Sequence, residues 1–196
     1  MGEAISAALA APLLDERAFI DLIAQRGLSS EFVADRLERA PSAGERLIAD
    51  LAAATAMLPI PPGGFHPDED IVAAVREIVI ERARAGHVVA IGHGGASLLG
   101  WRPEGIPVLA ILLRAGRPWR VEQLARRYAI DREEARRRVE RSDESRVRYQ
   151  RHYFDSDLYD CRQYDLVLNT ESLGIGTATS IATQVATERA RGGTPA

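Results

Sequence analysis

Hydrophobic positions along this chain switch between two spacings. Steps of three and four residues, the mark of an amphipathic helix, run through Ala4 to Ala11, Arg17 to Arg26, Ser29 to Arg39, Ser42 to Leu58 and Asp68 to Ala85. Ser29 and Ser42 stand as N-caps, and Glu45 completes a capping box. Short apolar runs bounded by turn residues punctuate these helices: Pro12 to Asp15, His87 to Gly92, Pro107 to Leu113 and Asp165 to Asn169. The last three are apolar on both faces, as buried strands of a parallel sheet covered by helices are. Pro59 to Gly64 cannot extend a helix, because its prolines lack the amide donor and its glycines favour turns, so it is a loop. An arginine-dense helical stretch, Trp119 to Tyr153, separates the third strand from the fourth, and a helix from about Thr177 to Arg189 follows. The pattern predicts an α/β fold with a parallel sheet, a single domain over residues 1–191, and a disordered tail at 192–196.

Composition narrows the class. With 196 residues, 46% of them hydrophobic, the chain can bury a substantial core. A net charge of −3 gives no global attraction to nucleic acid or anionic lipid. One cysteine, Cys161, excludes an internal disulfide framework. The sequence shows no basic and apolar leader and no run near the roughly 20 apolar residues that span a bilayer, so no membrane partner is predicted and the cytoplasm is the expected location. Every one of the 25 basic residues is arginine. His152, Asp155 and Asp157 lie near Cys161, but no spacing among them matches a metal-ligand pattern, and no metal site is predicted there.

Four blocks in order carry a resemblance. Gly2 to Ala10 followed by Pro12 to Arg17 looks like the helix after a phosphate loop and the strand that opens a monophosphate-binding region. His87 to Leu99, with Ile91-Gly92-His93-Gly94-Gly95-Ala96, is similar to the strand and Gly-Arg-Gly turn of the cytidylate kinase-like family. Arg120, Ile130 to Ala135, and Asp143-Glu144-Ser145-Arg146 with Tyr149 resemble that family's lid. Tyr164 to Thr170 with Leu173-Gly174-Ile175 resembles its closing strand and turn. The resemblance covers nearly the whole chain.

It implies a three-layer P-loop kinase-like fold with a helical, arginine-rich lid at about residues 117–160. It also implies transfer of a phosphoryl group from ATP to a nucleoside monophosphate, with Mg2+. Such chemistry is mostly positioning and charge stabilisation, which arginine forks suit. By the resemblance, Arg120 is the arginine at the base of the lid and Arg146 that of the Asp-x-x-Arg step, with Asp143 placed to orient it from one turn earlier. Gly2, Asp15, His93, Arg117 and Arg148 fall at nucleotide- or phosphate-binding positions. The same arginines also fit a solvated face paired with Glu122, Glu133, Glu134 and Glu140.

The chain departs from the family in several places. The family's first strand belongs between the strands at Val88 to Ile91 and Val108 to Leu113, and residues 1–196 contain neither that strand nor the glycine-rich loop after it. Gly2 would be the loop's last glycine, and the lysine that such loops hold against the phosphates has no counterpart. The start is therefore read as truncated or degenerate. His93 stands where the family places an arginine, and Gln123 where it often has a second lid arginine. Glu16 replaces a small hydroxyl residue, so specificity for CMP is not implied. An impaired kinase and a non-catalytic nucleotide- or partner-binding relative are both open readings. Nucleic-acid binding through Arg126 to Arg151 is disfavoured, because interspersed acids dilute the charge.

Overall fold

Alanines at positions 4, 7 and 8 favour helix, and α1 spans Gly2–Leu9. Ala10 closes it in the left-handed conformation (φ 48°), and the Ser6 hydroxyl donates to the Ala11 carbonyl at 2.6 Å. The structure, a computed structural model, describes residues 1–26, 67–99 and 105–192. The predicted helices Ser29 to Arg39 and Ser42 to Leu58 and the loop Pro59 to Gly64 lie outside them. After α1 comes β1 (Leu13–Leu14), then α2 (Glu16–Ala24), whose N-cap Asp15 accepts from the Ala18 amide at 2.9 Å. One carboxylate thus ends a strand and begins a helix.

Next come α3 (Pro67–Ala85), β2 (Val89–Ala90) and the short α4 (Gly95–Leu98). Between β2 and α4, Gly92, His93 and Gly94 all take positive φ, at 84°, 53° and 65°. The histidine is the notable member, since its Cβ carries a steric cost there that the flanking glycines avoid. β3 (Ile111–Arg114) leads into α5 (Arg117–Tyr128) and α6 (Arg132–Phe154). The arginine-dense stretch is therefore two helices, because Ala129 turns left-handed (φ 51°) and Asp131 caps a new start through the Glu134 amide at 2.8 Å. A 3-10 turn (Cys161–Gln163), β4 (Leu166–Asn169), the one-turn α7 (Thr170–Leu173) and α8 (Ile175–Ala190) complete the described chain. The strands are shorter than the apolar runs. Pro107 to Ala110 lies outside β3, whose ladder to β4 begins at Ile111.

All described strands pair in parallel. Leu13 and Leu14 face Val89 and Ala90, and Ile111 to Arg114 face Leu166 to Asn169. Among the described residues this gives two two-stranded sheets, β1-β2 and β3-β4. Period-two alternation sends Val88 and Val89 into different cores. One core holds Leu14, Phe19, Ile23, Val75, Ile78, Val79 and Leu98, with Val88 and Phe154 packed against it. The other holds Ile5, Leu168, Ala178, Ala182 and Ala186, with Val89, Ile111 and Leu166 against it, so residues of both sheets meet under α1 and α8. A third, small cluster of Val121, Ala135 and Val139 belongs to the α5-α6 hairpin.

Phe19 is 1% exposed and Ile175 56%. Phe19→Ala is expected to cost about 3–5 kcal/mol, against less than about 0.5 kcal/mol for Ile175→Ser, in urea unfolding of the two variants. Equal losses would mean that the first core does not hold the fold.

Candidate functional site

The α5-α6 hairpin aligns three charged residues across its helix pair. The Arg120 guanidinium donates through Nε to the Ala115 carbonyl at 3.1 Å, and through Nη1 and Nη2 to the two oxygens of Asp143 at 2.6 and 2.7 Å. This is the two-pronged geometry that makes an arginine-carboxylate pair strong and directional. Arg146, one turn further along α6, brings Nη2 to within 3.4 Å of the same Asp143 oxygen. It also donates to the Ser142 hydroxyl at 3.0 Å. Two arginines 26 positions apart in sequence therefore meet at one carboxylate, and Arg117 lies beside them through Glu140 at 3.5 Å.

Burial and charge oppose each other at Asp143. Burial works against its ionised form, but the Arg120 hydrogen bonds and the positive charges of Arg120, Arg146 and Arg117 outweigh it and hold the carboxyl below the usual aspartate range. Arg120 is raised in turn, chiefly by its hydrogen bonds to Asp143. The rest of the hairpin's arginine is a solvated lattice. Arg136 pairs with Glu133 and Glu140, Arg137 and Arg138 with Glu134, and Arg126 with Glu122. Such exposed pairs are screened by water and salt and contribute little to stability.

Two of the remaining sequence candidates follow strand ends directly. Asp15 comes directly after β1 and caps α2. His93 comes after β2, only 5% exposed, with its ring edge-on to Phe19 at a 4.7 Å centroid separation. A buried ring packed edge-on against Phe19 is a poor phosphate contact. Gly2 opens α1 so close to the Ile91 side chain that a Cβ there would collide with it. Arg117 is the first residue of α5, and Arg148 is exposed on α6. The C-terminal ends of parallel strands are where open α/β sheets hold ligands.

Two sets of contacts had no signal in the sequence. Gln150, 2% exposed on α6, donates to the hydroxyls of Ser97 and Ser156. Ser97 donates to Gln163 at 2.6 Å, so α4, α6 and the loop after α6 are joined by one buried polar cluster. At the other end of the hairpin, Thr170 donates to the Arg114 carbonyl at 3.2 Å, and the Glu171 carboxylate accepts from the Gly116 amide at 2.7 Å. Serine, glutamine and threonine have no period or motif that announces such pairings.

The fold is a mixed α/β one, and comparison with known proteins places it. The cytidylate kinase-like family model matches residues 1–172, and the chain belongs to that family. Proteins named cytidylate kinase are similar to it: that of Pyrobaculum islandicum is 33% identical over 117 residues, 60% of each chain. That of Pyrobaculum aerophilum is 35% identical over 114 residues, 58% of this chain and 59% of that one. That of Methanopyrus kandleri is 34% identical over 110 residues, 54% of this chain and 56% of that one. The chain thus spans 60% or less of the length of these relatives. A crystal structure of an uncharacterized protein from Eubacterium ventriosum shares the fold, with a TM-score of 0.63 at 16% identity, covering 94% of this chain and 88% of that one. Among the described residues no helix is long and apolar enough to cross a membrane.

Because folding lowers the Asp143 pKa, its pairing contributes fully above the ordinary aspartate range and fades as pH falls through the lowered value. Asp143→Ala should cost about 1.5–3 kcal/mol at pH 7, nearer the lower figure because Arg120 is partly exposed. The gap between the parent and the variant should begin to narrow below about pH 4 and close only below the lowered value. Denaturant titrations at pH 7 and pH 3 measure both. A gap that is the same at both pH values would show that the charge of Asp143 contributes nothing.

Proposed function

We propose that this protein is a nucleotide-binding member of its family, in which the α5-α6 hairpin is the lid and Arg120 and Arg146 meet the phosphates of a bound nucleotide. The observation that carries this reading is their convergence on Asp143. A guanidinium has five N–H groups. Among the described residues, Arg120 uses three of them on Ala115 and Asp143, which leaves two for an anion while the fork stays aimed. Asp143 acts as the orienting group, and Arg117 and Arg148 add positive charge on the same helix pair.

The reaction proposed by kinship is ATP-dependent transfer to a nucleoside monophosphate, in the cytoplasm. The arginine pair fits phosphate. The described residues hold no group of three or more His, Cys, Asp or Glu side chains able to cage a metal, so a Mg2+ would travel on the nucleotide's phosphate oxygens, as Mg2+ commonly does. The ion would offset phosphate charge there, while the chain's own part is to orient the phosphates and keep the arginine forks together.

Turnover by residues 1–196 alone is proposed to be impaired. They contain no lysine and no glycine-rich phosphate loop, and one such electrostatic group is commonly worth about 3–4 kcal/mol of transition-state stabilisation. His93 favours a second reading, a scaffold that binds nucleotide or a partner without catalysis, because this buried ring stands where the family places an arginine. The separation of β1-β2 from β3-β4 among the described residues supports a related proposal: the four strands form one parallel core with a gap where the family's first strand lies, without direct pairing across it.

Arg120→Ala and Arg146→Ala should each weaken ATP binding by about tenfold or more, while Arg132→Ala and Arg136→Ala change it less than about threefold, measured by titration calorimetry. Equal losses at all four positions would indicate diffuse electrostatic attraction instead of a lid. Coupled ADP detection should show little phosphorylation of CMP, dCMP or UMP by residues 1–196. Joining an apolar strand and a glycine-rich, lysine-containing loop ahead of Met1 should raise it. Robust turnover without that addition would refute the impaired reading, and no ATP binding by the parent would leave partner binding as the better account.

A further inference from the structure

Three consecutive residues, from the last of β3 to the N-cap of α5, are each held by a different group. The Arg114 carbonyl accepts from Thr170, the Ala115 carbonyl accepts from Arg120 Nε, and the Gly116 amide donates to Glu171. Gly116 is also the N-cap of α5, with no capping side chain of its own, and its carbonyl receives the Arg120 amide at 3.1 Å. Arg120 is therefore bound through both its backbone and its side chain to the two-residue turn Ala115-Gly116. The far side of that turn is fixed by a carboxylate from α7.

We infer that Glu171 is a positioning residue for Arg120, acting through the Gly116 amide. A carboxylate at the start of a helix is doubly favoured there, as acceptor for an amide that the helix leaves unpaired and as a negative charge at the positive end of the helix dipole. Asn169 prepares it by accepting from the Glu171 and Ser172 amides at 3.1 and 3.3 Å, which fixes α7 where the chain leaves β4. The approach of Glu171 to the turn is close. A Cβ on Gly116 would lie 2.7 Å from Glu171 Oε2, so a side chain at 116 must push the carboxylate away. Asp143 sets the guanidinium from the α6 side, and Glu171 sets the turn from which Arg120 springs. Arg120 is thereby tied to the end of β4 as well as to its own hairpin.

The inference deepens the proposed function and rests on Arg120 as the phosphate-facing group, but its test has an arm that needs no nucleotide. Hydrogen exchange of the Arg120 Nε–H is followed by NMR in the 196-residue chain, the signal being assigned by its loss in Arg120→Lys. Glu171→Ala and Gly116→Ala should each speed that exchange about threefold to tenfold, the range expected for loss of one hydrogen bond. Glu171→Gln, whose amide oxygen still accepts from Gly116, should stay within about twofold of the parent. The Arg126 Nε–H, paired with Glu122 on the exposed face, serves as the control and should not change.

Unchanged Arg120 exchange in Glu171→Ala, or Glu171→Gln behaving like Glu171→Ala, would overturn the inference. So would acceleration of Arg126 along with Arg120, which would mean general loosening. If Glu171→Ala fails to fold, Gly116→Ala still decides, since it displaces the carboxylate while keeping residue 171, and Glu171→Gln supplies the conservative comparison. ATP affinity by calorimetry should fall about threefold to tenfold in Glu171→Ala and hold in Glu171→Gln. A parent that binds no ATP would defeat the proposed function and leave the exchange arm to decide the role of Glu171.

Discussion

The arrangement of the candidate site depends on one interaction, the two-pronged pairing of Arg120 with Asp143 across the α5-α6 hairpin. Hydrophobic contact between those helices is small, three buried residues and a few partly buried neighbours. Such a cluster fixes helix proximity but not rotation. A bidentate ion pair does fix it, because both oxygens and both nitrogens must align together. Once α5 and α6 are set in this way, Arg146 arrives beside the same carboxylate by helical periodicity alone, one turn after Asp143.

The hairpin is then attached to the body of the protein at both ends by polar groups. Near β3 the attachment is the Arg114-Ala115-Gly116 turn held by Thr170 and Glu171. At the other end, Gln150 is buried between Ser97 and Ser156, and Phe154 packs against the first core. Polar attachments of this kind have directional requirements that apolar packing lacks, and a buried amide left unpaired is expensive. They hold the arginines in a defined place relative to the strand ends. The exposed glutamate-arginine lattice of α6 does a different job: it supports a long, very polar helix and offsets part of its positive charge.

The two cores divide the labour of the sheets. In the first, large side chains such as Phe19 and Ile23 fill the space between α2, α3 and the β1-β2 pair. In the second, Ala178, Ala182 and Ala186 let α8 approach α1 closely while strand residues from both pairs pack beneath them. His93 illustrates a conflict between fold and chemistry. Its position after β2 would suit a ligand contact, yet its left-handed backbone and its packing on Phe19 turn the ring inward.

Periodicity in the sequence determined the element types, because apolar steps of three and four, or continuous apolar runs, leave each segment few ways to bury its surface. It located α3 and α8 closely, and it placed the described strands within the right runs except for Arg114, one residue past the third run. It missed the break at Ala129, since an alanine in the left-handed region carries no compositional mark, and it overran the strands because an apolar run does not say where a ladder partner begins. Arg120, Asp143 and Arg146 could be singled out by the resemblance to the family's lid, and the i, i+3 relation of the last two is a property of any helix. Only the tertiary structure decided that Arg120 would join them, that His93 would be buried, and that Gln150, Thr170 and Glu171 would anchor the hairpin. Hydrogen bonds between residues 23, 53 or 55 positions apart are set by how whole elements pack, and nothing local in the chain encodes that packing.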